Sequence, residues 1–246
     1  MSDGTSNKPV ALIVGAGDAT GAAIAQRFAA GGFNVCVSRR RAEKLAPLVE
    51  AVRAQGYACH GYPSDARDEA AVIDLFETIE RDHGPIEIAI FNAGANVWFP
   101  ITETTTRTFT KVWEMACLGG FLVGREAACR MVSRGRGSIF FTGATASLRG
   151  RAMFSAFASA KHGLRAVAQS MARELGPKGI HVAHLVVDGA IDTAFIRETF
   201  PAIHAKKATD GILDPSAIAE TYWMLHAQPR NAWTHEMDLR PWSEDF

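Results

Sequence analysis

The stretch Val10-Ala11-Leu12-Ile13-Val14-Gly15-Ala16-Gly17-Asp18-Ala19-Thr20-Gly21-Ala22-Ala23-Ile24 decides how the rest of the chain is read. A short apolar run rich in β-branched residues leads into closely spaced glycines, and these lead into an alanine-rich amphipathic pattern. That order predicts a strand, a tight turn and the N-terminus of a helix. Such a turn presents backbone N–H groups at the positive end of a helix dipole, where a pyrophosphate can sit. Glycine suits the turn because a Cβ would block the phosphate or forbid the required φ/ψ. An ordinary strand–turn–helix connection is the plainer alternative, and the place of this loop on the first strand weighs against it. A G-x-G-x-x-G fingerprint would need glycine at position 20, where Thr20 stands, so a different spacing applies.

The surrounding chain sets the frame for that loop. Its 246 residues, 48% of them hydrophobic, fit one large α/β domain with a sizeable core. A formal net charge of zero gives no reason to expect a nucleic-acid or anionic-membrane partner. No apolar run approaches the ~20 residues of a membrane span. Residues 1–8 are polar and read as a short disordered lead without the apolar core of a signal peptide. Residues 9–246 then form a single dinucleotide-binding domain, expected in the cytoplasm. Cys36, Cys59, Cys117 and Cys129 make no C-x-x-C pair and lie in apolar segments, as buried free thiols of a reducing compartment do. No metal site is expected.

Strand-like runs at 10–14, 34–38, 57–62, 86–91, 138–142 and 181–187 alternate with helical patterns, and a last short strand is expected within 232–239. The helices are predicted over 21–30, 42–55, 68–83, 107–134 (bent near Gly119-Gly120), 154–175 and 215–227. Residues 193–211 have no clear period and read as the longest irregular stretch. The alternation predicts a Rossmann-type, doubly wound, mostly parallel seven-stranded sheet with helices on both faces. Ligands bind at the carboxyl ends of such strands, where the glycine loop lies.

A dinucleotide site for NAD would place a carboxylate at the end of the second strand, against the ribose 2′-OH. Here the chain reads Ser38-Arg39-Arg40-Arg41. Guanidinium groups match a 2′-phosphate by charge and by bidentate geometry, whereas basic residues at a helix start oppose its dipole. NADP(H) is therefore the expected cofactor.

Gly15 and Gly21 fit a longer loop, T-G-x-x-x-G-x-G, with Val14 at the Thr and Ala19 at the middle glycine. Asp65-Ala66 follows the third strand, Asn92-Ala93-Gly94 the fourth, Lys161 lies on the helix after the fifth, and Asp188-Gly189-Ala190-Ile191-Asp192-Thr193 follows the sixth. On these motifs the chain resembles the short-chain dehydrogenase/reductase family over essentially its whole length. The resemblance implies that Gly15, Gly17, Asp18, Ala19, Thr20 and Gly21 cradle the pyrophosphate. Asp65 with Ala66 would approach the adenine, and Asn92, Ala93 and Gly94 would close over the adenosine ribose and brace the sheet. Lys161 would hold the nicotinamide ribose, and Thr193 the carboxamide or pyrophosphate.

The family's chemistry uses Tyr-x-x-x-Lys, a Ser thirteen residues before the Tyr, and an Asn on the preceding long helix. Lys161 is present, but Phe157 stands at the Tyr, Ala144 at the Ser and Ala116 at the Asn. Phenylalanine has no titratable proton, and alanine cannot hydrogen-bond an oxyanion. Asp188 replaces the usual proline near the reactive face, where a poorly hydrated carboxylate would act as acid or base. A loop aspartate capping local N–H groups is the plainer reading. Met153, Phe154, Phe195, Ile196, Phe200 and Trp98-Phe99 suggest an apolar cleft for a small-molecule substrate.

Three functions follow. The first is an NADP(H)-dependent oxidoreductase with an atypical active site, reducing an imine, an activated alkene or an apolar carbonyl, with Lys161 and Asp188 as its catalytic candidates. The second is an NADP(H)-binding pseudoenzyme or sensor with little turnover. The third is a non-redox enzyme using Asp188 or Lys161. The family resemblance also implies a homodimer or homotetramer.

Overall fold

A computed structural model describes residues 8–245, so the expected lead lies, but for Lys8, outside the described residues. The elements run β1 (Val10–Val14), α1 (Thr20–Ala30), β2 (Asn34–Arg39), α2 (Ala46–Ala54), β3 (Cys59–Pro63), α3 (Glu69–His83) and β4 (Ile86–Phe91). They continue as α4 (Thr106–Trp113), α5 (Gly119–Arg134), β5 (Gly137–Thr142), α6 (Ser155–Leu175) and β6 (Ile180–Val187). The last are α7 (Ala194–Thr199), α8 (Pro201–His204), α9 (Pro215–His226) and β7 (Glu236–Leu239). One sheet has the order β3-β2-β1-β4-β5-β6-β7, with every neighbouring pair parallel. This is the doubly wound, Rossmann-type sheet that the alternation predicts. Strand order reverses between β1 and β4, so a crevice opens at their carboxyl ends.

Both faces of the sheet are covered, which is why its central strands are continuous apolar runs. In β1, Ala11 and Ile13 face a core with Phe28 of α1, Val52 of α2 and Tyr222 of α9. Val10, Leu12 and Val14 face the other core, with Phe76 of α3, Val123 of α5 and Leu164 of α6. This alternation fixes β1 in register, and a one-residue slip would exchange the two cores.

Three expectations are corrected. The helix expected over 107–134 is divided by a π-helical turn over Glu114–Leu118. The irregularity thus precedes the glycine pair, and Gly120 serves packing: a Cβ there would lie 2.3 Å from Leu164 Cδ1. Residues 193–211 are not irregular but form α7, α8 and a 3-10 turn over Ala205–Thr209. Thr193 Oγ1 accepts from the Ile196 N–H at 3.1 Å, and Pro201 opens α8. The Asp192 carboxylate fastens the segment, accepting from Lys207 Nζ at 2.5 Å and lying 3.0 Å from His204 Nε2. Helices of six and four residues are too short to show a period. Cys36, Cys59 and Cys117 are buried as expected, but Cys129 is exposed.

Candidate active site

The glycine loop is held from below by its own backbone and by one asparagine. Gly15 has φ +86°, and a Cβ there would lie 2.6 Å from the Ala93 nitrogen. Its N–H and that of Ala16 donate to the Ser38 carbonyl at 2.8 and 3.1 Å. Asn92 Nδ2 donates to the Gly15 carbonyl at 3.1 Å, so Asn92 Oδ1 is the acceptor for Thr142 Oγ1 at 2.9 Å. The Thr142 proton is thereby committed, and the Tyr222 hydroxyl, 2.7 Å away, must donate to Thr142. A polarised chain runs from the buried Tyr222 through Thr142 and Asn92 to the loop. Lys161 Nζ donates to the Thr142 carbonyl at 2.8 Å, joining the same residue from the other side.

Above the loop, α1 begins with Ala19 at its N-cap, which makes no side-chain bond, and its first turn carries no acid. The Ala22 N–H is taken by the Gly17 carbonyl at 3.0 Å, which leaves the N–H groups of Thr20 and Gly21 to an external anion. A Cβ on Gly17 would meet nothing within 4 Å, whereas one on Gly21 would lie 2.7 Å from Ala16 Cα. Gly17 therefore opens the loop to a ligand, and Gly21 lets α1 start close against it. Thr20 is buried at the same point.

Two cavities meet at this loop. The first, about 380 Å³, is lined by Arg39, Arg40, Arg41, Lys44, Asp65 and Ala66, among others. Arg39 Nη1 donates to Asp18 Oδ1 at 2.9 Å and to the Lys44 carbonyl at 3.3 Å. Asp65 pairs with Arg67 Nη2 at 2.6 Å, and that guanidinium holds its carboxyl below the usual range. Ser38 lines neither cavity: it is fully buried, its Oγ has no partner, and it serves the loop through its carbonyl. Lys44 was not singled out from the sequence, although it closes the basic run that starts at Arg39.

The second cavity, about 890 Å³, runs from the loop past Asn92, Ala93 and Gly94 to Lys161 and Thr193. Phe157 and Ala144 form its inner wall, and Phe195 and Arg197 of α7 border it. Lys161 is only 4% exposed, and burial pushes its ammonium down to about 8. Its Nζ lies 5.9 Å from the centre of the Phe157 ring. Phe157, Ala116 and Ala144 share one apolar cluster with Val112, Ala146 and Ala156, and the π turn carries Ala116 into it. Trp98 contacts Phe200 across 6.1 Å and Phe200 contacts Phe195 across 5.9 Å, and of these three rings only Phe195 lines the cavity.

Asp188 is placed differently from expectation. Its side chain is fully buried and lines neither cavity. Thr145 Oγ1 donates to Oδ1 at 2.6 Å, and Arg149 reaches both carboxylate oxygens at 3.3 Å. A carboxylate with those donors filled is an anchor between β6 and the loop after β5, not an acid or base facing the cleft. Nearby, His184 Nδ1 lies 3.0 Å from Glu236 Oε2, and burial pushes this imidazole down to about 4. Neither His184 nor His162, which pairs with the Ala158 carbonyl at 2.8 Å, reaches the cleft.

Comparison with known proteins agrees with this geometry. The family model described as short chain dehydrogenase matches residues 9–203. A short-chain dehydrogenase/reductase of Hericium erinaceus, eriH, is 35% identical over 180 residues, covering 71% of each chain. The crystal structure of a short-chain dehydrogenase from Rhodopseudomonas palustris is 52% identical, with TM-score 0.82, covering 95% of this chain and 99% of that one. At 23% identity the fold is shared with an actinorhodin polyketide ketoreductase solved with NADPH (TM-score 0.88, 96% and 97% covered). It is also shared with an NAD+-bound xylitol dehydrogenase (TM-score 0.85, 95% and 98% covered). The chain belongs to the short-chain dehydrogenase family of oxidoreductases.

Proposed function

We propose that this member of the short-chain dehydrogenase family is an NADP(H)-dependent oxidoreductase whose inner cleft lacks a hydroxyl proton donor. In this reading it reduces a small, largely apolar imine, activated alkene or carbonyl. One juxtaposition carries the proposal: four basic residues, Arg39, Arg40, Arg41 and Lys44, line one cavity, while Phe157 and Ala144 line the other beside a buried Lys161. The uncapped N-terminus of α1 and the open face of Gly17 suit a pyrophosphate. The guanidinium groups suit a 2′-phosphate. Asp65 and Ala66 would flank the adenine, Asn92, Ala93 and Gly94 the ribose, and Lys161 with Thr193 the nicotinamide end.

When bound, the nicotinamide supplies or takes up a hydride. The chain's own part is to position the acceptor and to manage a proton. Phe157 has none to give, so an iminium, which needs no proton to accept a hydride, fits this wall best. For an alkene or carbonyl, Lys161 Nζ is the ionisable group at this end of the cavity. Lowered to about 8, it can hold or release a proton near neutral pH. The apolar packing of Phe157, Ala144 and Ala116 favours one other reading, a binding protein that senses NADP(H) without turnover.

Full-length protein mixed with NADPH and panels of imines, enones and ketones separates the two. Oxidation of NADPH by an imine or enone is expected. Tight binding with no oxidation by any panel member would replace the oxidoreductase by the sensor. The reading extends to a cytoplasmic homodimer or homotetramer, and the exposed Phe109, Trp113 and Phe121 on α4 and α5 support an oligomer.

A further inference from the structure

We propose that Asp18 is an internal counter-ion of Arg39 that competes with the 2′-phosphate, and so sets how strongly the chain discriminates NADPH from NADH. This rests on the NADP(H) reading above. Asp18 sits in the loop after β1 and Arg39 at the end of β2, yet Arg39 Nη1 lies 2.9 Å from Asp18 Oδ1. The carboxylate serves no local purpose in the fold. It does not cap α1, whose N-cap is Ala19, and its side chain is 87% exposed. The other acid beside these arginines, Asp65, is already taken by Arg67 on both carboxylate oxygens. Asp18 is therefore the acid that spends its charge on the 2′-phosphate donors.

A phosphate reaching Arg39 must share the guanidinium with Asp18 or displace it, and the two anions repel at close range. Dinucleotides without the 2′-phosphate place no dianion there and escape most of the repulsion. An exposed ion pair is weak, so displacement is feasible and the effect is a moderate factor, about 3- to 10-fold. The acid thus lowers NADPH affinity while leaving NADH nearly untouched, which narrows the preference that the basic run alone would give.

Asp18→Asn in the full chain, with Asp18→Ser as a second variant, tests this by calorimetry on 2′,5′-ADP, ADP, NADPH and NADH. Tightening of 2′,5′-ADP and NADPH by about 3- to 10-fold is expected, with ADP and NADH within about twofold and a smaller effect at high salt. In an Arg39→Gln background the same substitution should give a smaller gain, because only the direct repulsion between carboxylate and phosphate is left to relieve. An equal gain for NADH and NADPH would overturn the proposal, because Asp18 would then act on the pyrophosphate alone. No gain at all, with NADPH still bound, would overturn it and leave the cofactor reading standing. Absence of binding by wild type and variants alike would overturn both.

Discussion

The two ends of the crevice handle charge in opposite ways. At the basic end, Arg39, Arg40, Arg41, Lys44, Asp18 and Asp65 are crowded together but partly solvated, and their pairs exchange at little cost. At the inner end a single ammonium, Lys161, is buried against Phe157, and its hydrogen bond runs to a neutral carbonyl. The first arrangement suits recognition of an anion by rearranging counter-ions. The second makes any change of charge expensive, so burial alone moves Lys161 to about 8. Between them lies the glycine loop, bound to the inner end through Asn92 and Thr142 and to the end of β2 through the Ser38 carbonyl.

The largest expected effect tests whether the loop is the rigid hinge of that comparison. Gly15→Ala places a Cβ 2.6 Å from a backbone nitrogen at a φ of +86°. It should cost about 3–5 kcal/mol and abolish dinucleotide binding. Thermal melts and NADPH titration would read both. A folded variant with unchanged affinity would mean that the loop yields, and that the two ends are not mechanically joined.

Next in size is the acid limit of the inner half. His184 ionises near 4 in the folded chain, against 6.5 for a free imidazole. Between those values the unfolded chain binds the extra proton, so stability falls as pH drops through the window. About 2 kcal/mol should be lost between pH 7 and 4.5, measured by urea denaturation. His184→Asn should flatten the dependence. His181 and His226, also lowered by burial, act in the same direction, so the variant keeps a smaller slope.

These effects also divide what the sequence reveals from what it hides. The seven strands, the glycine loop and the Arg39 run were legible because each is a local pattern of a few adjacent residues. Asn92, directly after β4, and Lys161, 19 residues beyond Thr142, were marked instead by resemblance to the family's motifs. Asp188 was misjudged because its partners, Thr145 and Arg149, lie 43 and 39 residues away. Only the folded chain brings those donors to the carboxylate. Tyr222 escaped notice for the same reason, standing 80 residues from Thr142. The helices α7 and α8 were missed because their stability comes from Thr193 and Asp192 rather than from an apolar period.

Tyr222→Phe sharpens the link between core and loop at smaller cost. Thr142 would keep its donation to Asn92 and lose only an incoming bond, so about 1 kcal/mol of stability is expected to go. NADPH affinity should fall a few-fold through the loosened Asn92. Affinity unchanged at equal stability loss would make Tyr222 a core residue without reach into the site.

Phe157→Tyr carries the smallest expected change in stability and tests the inner end most directly. The ring already lines the cavity, so a phenol oxygen added to it lies against that space. The cost should stay under about 1 kcal/mol, because the hydroxyl can be hydrated rather than buried without a partner. A charged Lys161 favours the phenolate and the phenolate in turn holds the Lys161 proton, so the two should titrate as a pair, with the phenol below its ordinary value of about 10. Its absorbance followed against pH would give that value directly, with wild type as the blank. Combined with Ala144→Ser, the variant should then gain slow reduction of simple ketones. A phenol that titrates at its ordinary value would mean that the Lys161 charge is spent on the Thr142 carbonyl and does not reach the cleft. In that case the inner end would be apolar in effect as well as in composition, and an acceptor that brings its own positive charge would be the substrate class it fits.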